Sequence, residues 1–153
     1  MSLIELRELM TLEKYDEARP SFRKAVIAHK RNRQIAIGPD IILSFEDRTT
    51  IQYQIQEMLR TERIFERQGM QEELDAYNPL IPDGDNWKAT MMIQIPDVEA
   101  RRTALARYID IENSCWVQTE DHEPVFAIAD VDIDRSISDK TSAVHFLRFL
   151  LPR

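Results

Sequence analysis

Glu62, His29 and His145 are the residues whose side chains could move a proton or hold a metal together, should the fold bring them near one another. Glu62 lies in a long helical pattern that follows Phe45. At roughly 100° of rotation per residue it falls between Ile51 and Ile55 in angle, flanked along the axis by Met58 and Phe65. A carboxylate on an apolar stripe must be paired, protonated or bound, because burying an isolated charge is costly. His29 and Arg33 align with Phe22 and Val26 on the preceding helix, so two facing stripes would give Glu62 a basic partner in His29, Arg33 or Arg48. Such a pair either serves acid–base or metal chemistry or simply joins two helices. An enzyme built this way would use Glu62 with His29 or His145.

The opposite side of the same helix offers a different chemistry. Tyr53, Glu57 and Arg60 fall there with Ile64, and Gln52, Gln54 and Gln56 add amides suited to a ligand or a partner's backbone. Tyr53, Gln56, Glu57 and Arg60 are therefore the expected partner-binding residues. The plainer reading is a solvated face with Glu57 and Arg60 paired at i, i+3.

Other familiar sites fail on spacing. Asp130, Asp132 and Asp134 begin like a calcium loop, but Arg135 stands where glycine is needed and Thr141 where the bidentate glutamate belongs. On a strand these aspartates would line one solvated face. Asp83, Asp85 and Asn86 are explained by turn formation. His29, His122 and His145 share no short ligand spacing, so no metal site is assigned and the cofactor is left open. Gly38, Gly69 and Gly84 are too few for a phosphate-binding loop. Cys115, the sole cysteine, permits no internal disulfide and reads as a buried inert thiol in a reducing compartment.

The elements that must position these residues follow from periodicity. A first helix is expected around residues 11–19, a second opened by Pro20 over 21–33, and a hairpin of 34–37 and 41–45 turning at Gly38, Pro39 and Asp40. The long helix spans about 48–68 with Gly69 as its stop, followed by a short helix at 71–77. A strand at 88–95 precedes a helix capped by Asp97, running to about Ile109. Strands at 114–119, 125–129 and 142–151 complete the chain, and the last, apolar on both faces, is expected to be central. The expectation is one α+β domain over 1–153, a mostly antiparallel sheet covered by a long amphipathic helix and shorter helices.

A formal charge of −7 over 153 residues disfavours phosphate backbones and anionic membranes as partners. Met1 to Thr11 lacks a signal-peptide core and no apolar run reaches membrane-spanning length, so a cytoplasmic protein is expected.

The runs Arg19-Pro20-Ser21-Phe22-Arg23, Phe45-Glu46-Asp47-Arg48, Gln52 to Arg60, Tyr77 to Gly84 and Thr141 to Phe149 resemble an uncharacterised bacterial family of unknown function. The resemblance covers about Leu9 to Leu150 and carries no activity or catalytic residue. It implies a redox setting, because such proteins are often encoded beside a rubrerythrin and an iron–sulfur oxidoreductase subunit. The resulting expectation is an accessory binding or assembly protein of a bacterial redox or peroxide-stress system, with one of those two proteins as partner. Self-association is expected through the strand-rich C-terminal third or the outer side of the long helix, because Tyr53, Ile64, Trp116, Phe126 and Ile128 exceed what one core needs. The competing functions are the small enzyme above and a small-ligand sensor with a pocket under the long helix.

Overall fold

The structure is a computed structural model and describes residues 2–129 and 143–151, so Asp130, Asp132, Asp134 and the start of the expected last strand lie outside it. The chain packs as two compact units, one of Met1–Arg33 with Glu46–Gly84, the other of Gln34–Phe45 with Asp85–Arg153. The elements are α-helical and antiparallel β, as an α+β chain requires.

The first unit is helical. Thr11 caps α1 (Leu12–Lys30) by accepting the Lys14 amide at 3.2 Å. Pro20 does not divide this helix, contrary to the expected break. Proline removes one intrahelical bond, but packing on both sides holds the helix through it. Tyr15 and Val26 are buried, and the Tyr15 and Phe22 rings meet edge to face at 5.9 Å across the proline.

Asp47 caps α2 (Arg48–Thr61) in a reciprocal box with Thr50. Ile51, Ile55 and Leu59 recur every fourth residue and pack with Ile4, Leu74 and Ile81 of the same unit. The helix then ends seven residues before the expected boundary. Arg63 adopts the left-handed conformation at φ 54°, the Ile64 amide reaches the Leu59 carbonyl at 2.9 Å, and the Arg63 amide reaches Arg60 at 3.3 Å. These two bonds make a Schellman stop, with half-buried Ile64 folded back on the core that contains Leu59. Gly69 therefore ends nothing. It lies inside α3 (Arg67–Tyr77), where an added Cβ would come within 2.7 Å of Ile64 Cγ2.

The second unit is a sheet of order β1-β2-β3-β7-β6, antiparallel at every pairing. Its strands are β1 (Gln34–Ile37), β2 (Ile41–Phe45), β3 (Asn86–Ile93), β6 (Ile128–Ala129) and β7 (Val144–Leu150). Gly38 supplies the positive φ, 64°, that the β1–β2 turn needs. The last strand sits inside the sheet between β3 and β6, as its two-sided apolar pattern indicates. Leu43, Met91, Leu147 and Phe149 form the core with Leu105 from α4 (Val98–Arg107), whose cap is Asp97 accepting the Ala100 amide at 2.8 Å. A separate two-stranded ribbon pairs β4 (Trp116–Val117) with β5 (Val125–Phe126), and the amide of buried Ala127 extends it by reaching the Cys115 carbonyl at 2.9 Å. The run expected as one strand over 125–129 is thus two short ones.

An arginine in the left-handed region costs roughly 1 kcal/mol relative to glycine. Arg63→Gly is expected to raise the unfolding free energy by about 0.5–1 kcal/mol in a denaturant titration. Gly69→Ala, ordinarily worth about 1 kcal/mol of helix propensity, is expected instead to lower stability through its clash with Ile64. A stabilised alanine variant would contradict the close approach.

Candidate functional site

Because α2 stops at Thr61, Glu62 is the C-cap residue and lies exposed. It has no ion-pair partner among the described residues, which corrects the expected burial against His29, Arg33 or Arg48. Its electrostatic neighbour is an acid: burial first, and then Glu62, push the Glu73 carboxyl above its ordinary value. Phe65, expected on the same stripe, is 74% exposed. The helical period was correct over the helix itself; it does not extend past the Schellman stop.

The basic residues expected around Glu62 have other partners. His29 Nε2 lies 2.6 Å from Asp47 Oδ2, and Arg33 approaches the same carboxylate at 3.6 Å while donating to the Glu46 carbonyl at 3.3 Å. Burial pushes Asp47 upward, but the Thr50 amide, His29 and Arg33 outweigh it, and the net direction is below the ordinary aspartate value. Asp47 therefore caps α2 and anchors the end of α1 at one carboxylate. Arg48 reaches the Ser2 carbonyl at 3.1 Å and pairs with Glu8.

On the other side of α2, Glu57 is the centre of a second cluster. Arg19 grips it in two-point fashion, Nε to Oε2 and the guanidinium terminus to Oε1, each at 3.0 Å. The hydroxyl of fully buried Tyr15 donates to Oε2 at 2.7 Å, and Tyr53 donates to Oε1 at 3.4 Å. Arg19's hydrogen bonds pull Glu57 below the usual carboxylate range; burial opposes them and Tyr15 and Tyr53 assist. The same pairing, after burial, pushes the Tyr15 phenol well up. Phe22 stacks on Tyr53 at 6.0 Å and the Lys30 ammonium lies 5.4 Å over the Tyr53 ring. Arg60 pairs with Asp16 of α1 at 3.6 Å.

Gln56, expected to read a partner's backbone, reads the chain's own. Fully buried, it accepts the Met10 amide at 2.7 Å and donates to the Met10 carbonyl at 3.4 Å. Asn78 does the same for Ile4, accepting its amide at 3.0 Å and donating to its carbonyl at 2.9 Å. Sequence reasoning gives Asn78 no role, because its partner Ile4 lies 74 residues away. Four expected binding residues thus sit among contacts that tie α2 to α1 and to the segment before it.

His145 belongs to the second unit. It is 6% exposed on β7, opposite Met91 in register, with Nδ1 3.9 Å from Glu112 Oε2. That oxygen is buried without a hydrogen-bond partner among the described residues. Cys115 is half-buried and burial pushes its thiol up, away from the reactive thiolate. No group of three or more His, Cys, Asp or Glu among the described residues is placed to hold a metal ion.

The C-terminal third also presents a surface. Trp116 and Phe126 are directly opposed across the β4–β5 ribbon and are 51% and 57% exposed. Beside them the connecting residues Glu120 to Val125, with Leu150 and Leu151, line an open cavity of about 710 Å³.

The lowered pKa values of Glu57 and Asp47 set the sign of an acid effect. A carboxylate depressed in the folded state contributes stability above its unfolded value, and the contribution is lost as pH falls through the folded value. The urea midpoint is expected to fall as pH drops from about 5 to 3, and Glu57→Gln to flatten that limb. An unchanged acid limb in the variant would show that Glu57 is not held as an anion.

Residues 3–153 match the model of the family described as "Protein of unknown function (DUF3501)". The chain is also similar to a crystal structure of a novel protein of unknown function from Burkholderia pseudomallei K96243, at 49% identity and a TM-score of 0.93. That match covers 99% of this chain and 79% of the other. No curated protein matches the chain. Among the described residues, no helix is long and apolar enough to cross a membrane. With the family model spanning all but the first two residues, the chain belongs to the DUF3501 family of proteins of unknown function.

Proposed function

We propose that this protein is an accessory binding or assembly protein of a bacterial redox or peroxide-stress system, working in the cytoplasm through contact with another protein. The observation that carries a binding role is the exposed cross-strand pair Trp116 and Phe126. Large aromatics are enriched in the buried centres of protein interfaces and are expensive to leave in water. The redox setting comes from the family resemblance, which points to a rubrerythrin or an iron–sulfur oxidoreductase subunit as partner.

The placement of the polar side chains supports the same reading. Glu57 and Gln56 of α2 and the Asp47 cap, which looked available for chemistry, have their side chains engaged within the first unit. The second unit exposes large apolar side chains, Trp116, Phe126 and Ile128 among them.

Affinity purification from the native bacterium tests this, comparing the wild-type chain with Trp116→Ser/Phe126→Ser at matched helical and strand content by circular dichroism. The wild type is expected to retain a rubrerythrin or iron–sulfur subunit, and the double variant to lose at least about tenfold of it, as for two interface anchors. Equal recovery with both chains would overturn the proposed surface. A free wild-type dimer that the variant converts to monomer would reassign the surface to self-association.

A further inference from the structure

We infer that the β4–β5 hairpin docks a positively charged segment of the partner protein, its arginine or lysine side chains lying on Trp116 and Phe126 and their charges meeting Glu120, Asp121 and Glu123. The inference rests on the binding role proposed above and adds the chemistry of the partner.

Three features of the hairpin lead to it. The first is charge. Residues 116–126 contain three carboxylates and no lysine or arginine, and Glu120, Asp121 and Glu123 are all exposed. None of the three has an ion pair among the described residues, so the hairpin carries its negative charge outward without internal compensation. An anionic membrane or a nucleic acid would be repelled by it. A cationic peptide would be attracted.

The second is the aromatic rung. Trp116 and Phe126 share one side of the ribbon, one rung before Val117 and Val125 at the entrance to the acidic connection. Exposed aromatic faces attract cations through their ring quadrupole, and tryptophan does so best. A side chain with an apolar stem and a cationic head fits both parts of this surface at once: stem and charge on the rings, salt bridges at the carboxylates.

The third is that the connection is held in shape. The Gln118 amide donates to the His122 carbonyl at 3.0 Å, the His122 amide reaches the Thr119 carbonyl at 3.1 Å, and Thr119 Oγ1 lies 2.8 Å from His122 Nδ1. The carboxylates project from a turn closed by these bonds. Val125, Leu150 and Leu151 contribute apolar wall to the adjoining cavity, which would take an aliphatic residue between two basic ones. A segment alternating basic and aliphatic residues matches this order of acid, aromatic and apolar surface.

The test uses the full chain and two synthetic peptides, acetyl-Arg-Leu-Arg-Leu-Arg-amide and its glutamate counterpart, followed by NMR of the two indole N–H resonances. Trp116→Phe assigns the resonances by removing one. The arginine peptide is expected to shift the Trp116 signal and leave Trp87 in place, while the glutamate peptide shifts neither. Its affinity is expected to weaken at least about fivefold from 50 to 300 mM NaCl and by a similar factor in Glu120→Gln/Asp121→Asn/Glu123→Gln, since exposed charge pairs are screened by salt. Equal response to both peptides, insensitivity to salt and to the triple variant, or no Trp116 shift at millimolar arginine peptide would overturn the inference. Loss of the native partner in the aromatic double variant but not in the acidic triple variant would sink the cationic segment alone and leave the binding role standing.

Discussion

One carboxylate organises the helical unit. Glu57 receives two bonds from Arg19 and one each from the Tyr15 and Tyr53 hydroxyls, so a single side chain of α2 gathers three from α1 and its own helix. Its two oxygens offer about four lone-pair sites, and the four donors match that capacity. A partly buried anion of this kind is costly if any donor is withdrawn and stable when all are present. Tyr15 can be fully buried because its hydroxyl has this acceptor, on a helix that continues through Pro20.

The same economy recurs elsewhere in the helical unit. Gln56 and Asn78 each act as a substitute strand partner, offering one acceptor and one donor to a residue of the irregular N-terminal segment, and Asp47 serves at once as helix cap and as acceptor for His29. Side chains with two-sided hydrogen bonding are what an irregular backbone segment needs when no sheet is available to it. From sequence such amides and carboxylates look like a ligand-binding surface because the chemistry is the same. The ligand here is the protein's own main chain. In the sheet unit Ser44, Asn86 and His145 are the buried polar residues among those described, as many as in the helical unit, but large exposed apolar side chains are more numerous, Trp116 and Phe126 of the ribbon among them.

The parts of the fold legible in the sequence are those governed by local rules. The β1–β2 hairpin was readable from its Gly38-Pro39-Asp40 turn between apolar runs, α4 from the Asp97 cap, and the interior position of β7 from its two apolar faces. The errors have a common physical source. A left-handed arginine at 63 is not a residue that announces a helix end, so the expected period of α2 runs seven residues past Thr61 and puts Glu62 and Phe65 on a face they do not have. Pro20 was read as a boundary because helix interiors disfavour proline, whereas contacts between residues seven apart, Tyr15 and Phe22, override that local preference. The roles of Glu57 and Gln56 depend on partners 38 to 46 residues away, a separation over which no period or motif carries information.

The central claim is that Glu57 is a structural cross-link between α1 and α2. The most direct measurement is a double-mutant cycle of Tyr15→Phe and Glu57→Gln, read by denaturant unfolding of the full chain. A hydrogen bond from a buried hydroxyl to a charged acceptor predicts a coupling free energy of about 1.5–3 kcal/mol between the two substitutions. Additive effects, with coupling near zero, would contradict the account and return Glu57 to the set of carboxylates free to act on something outside the chain.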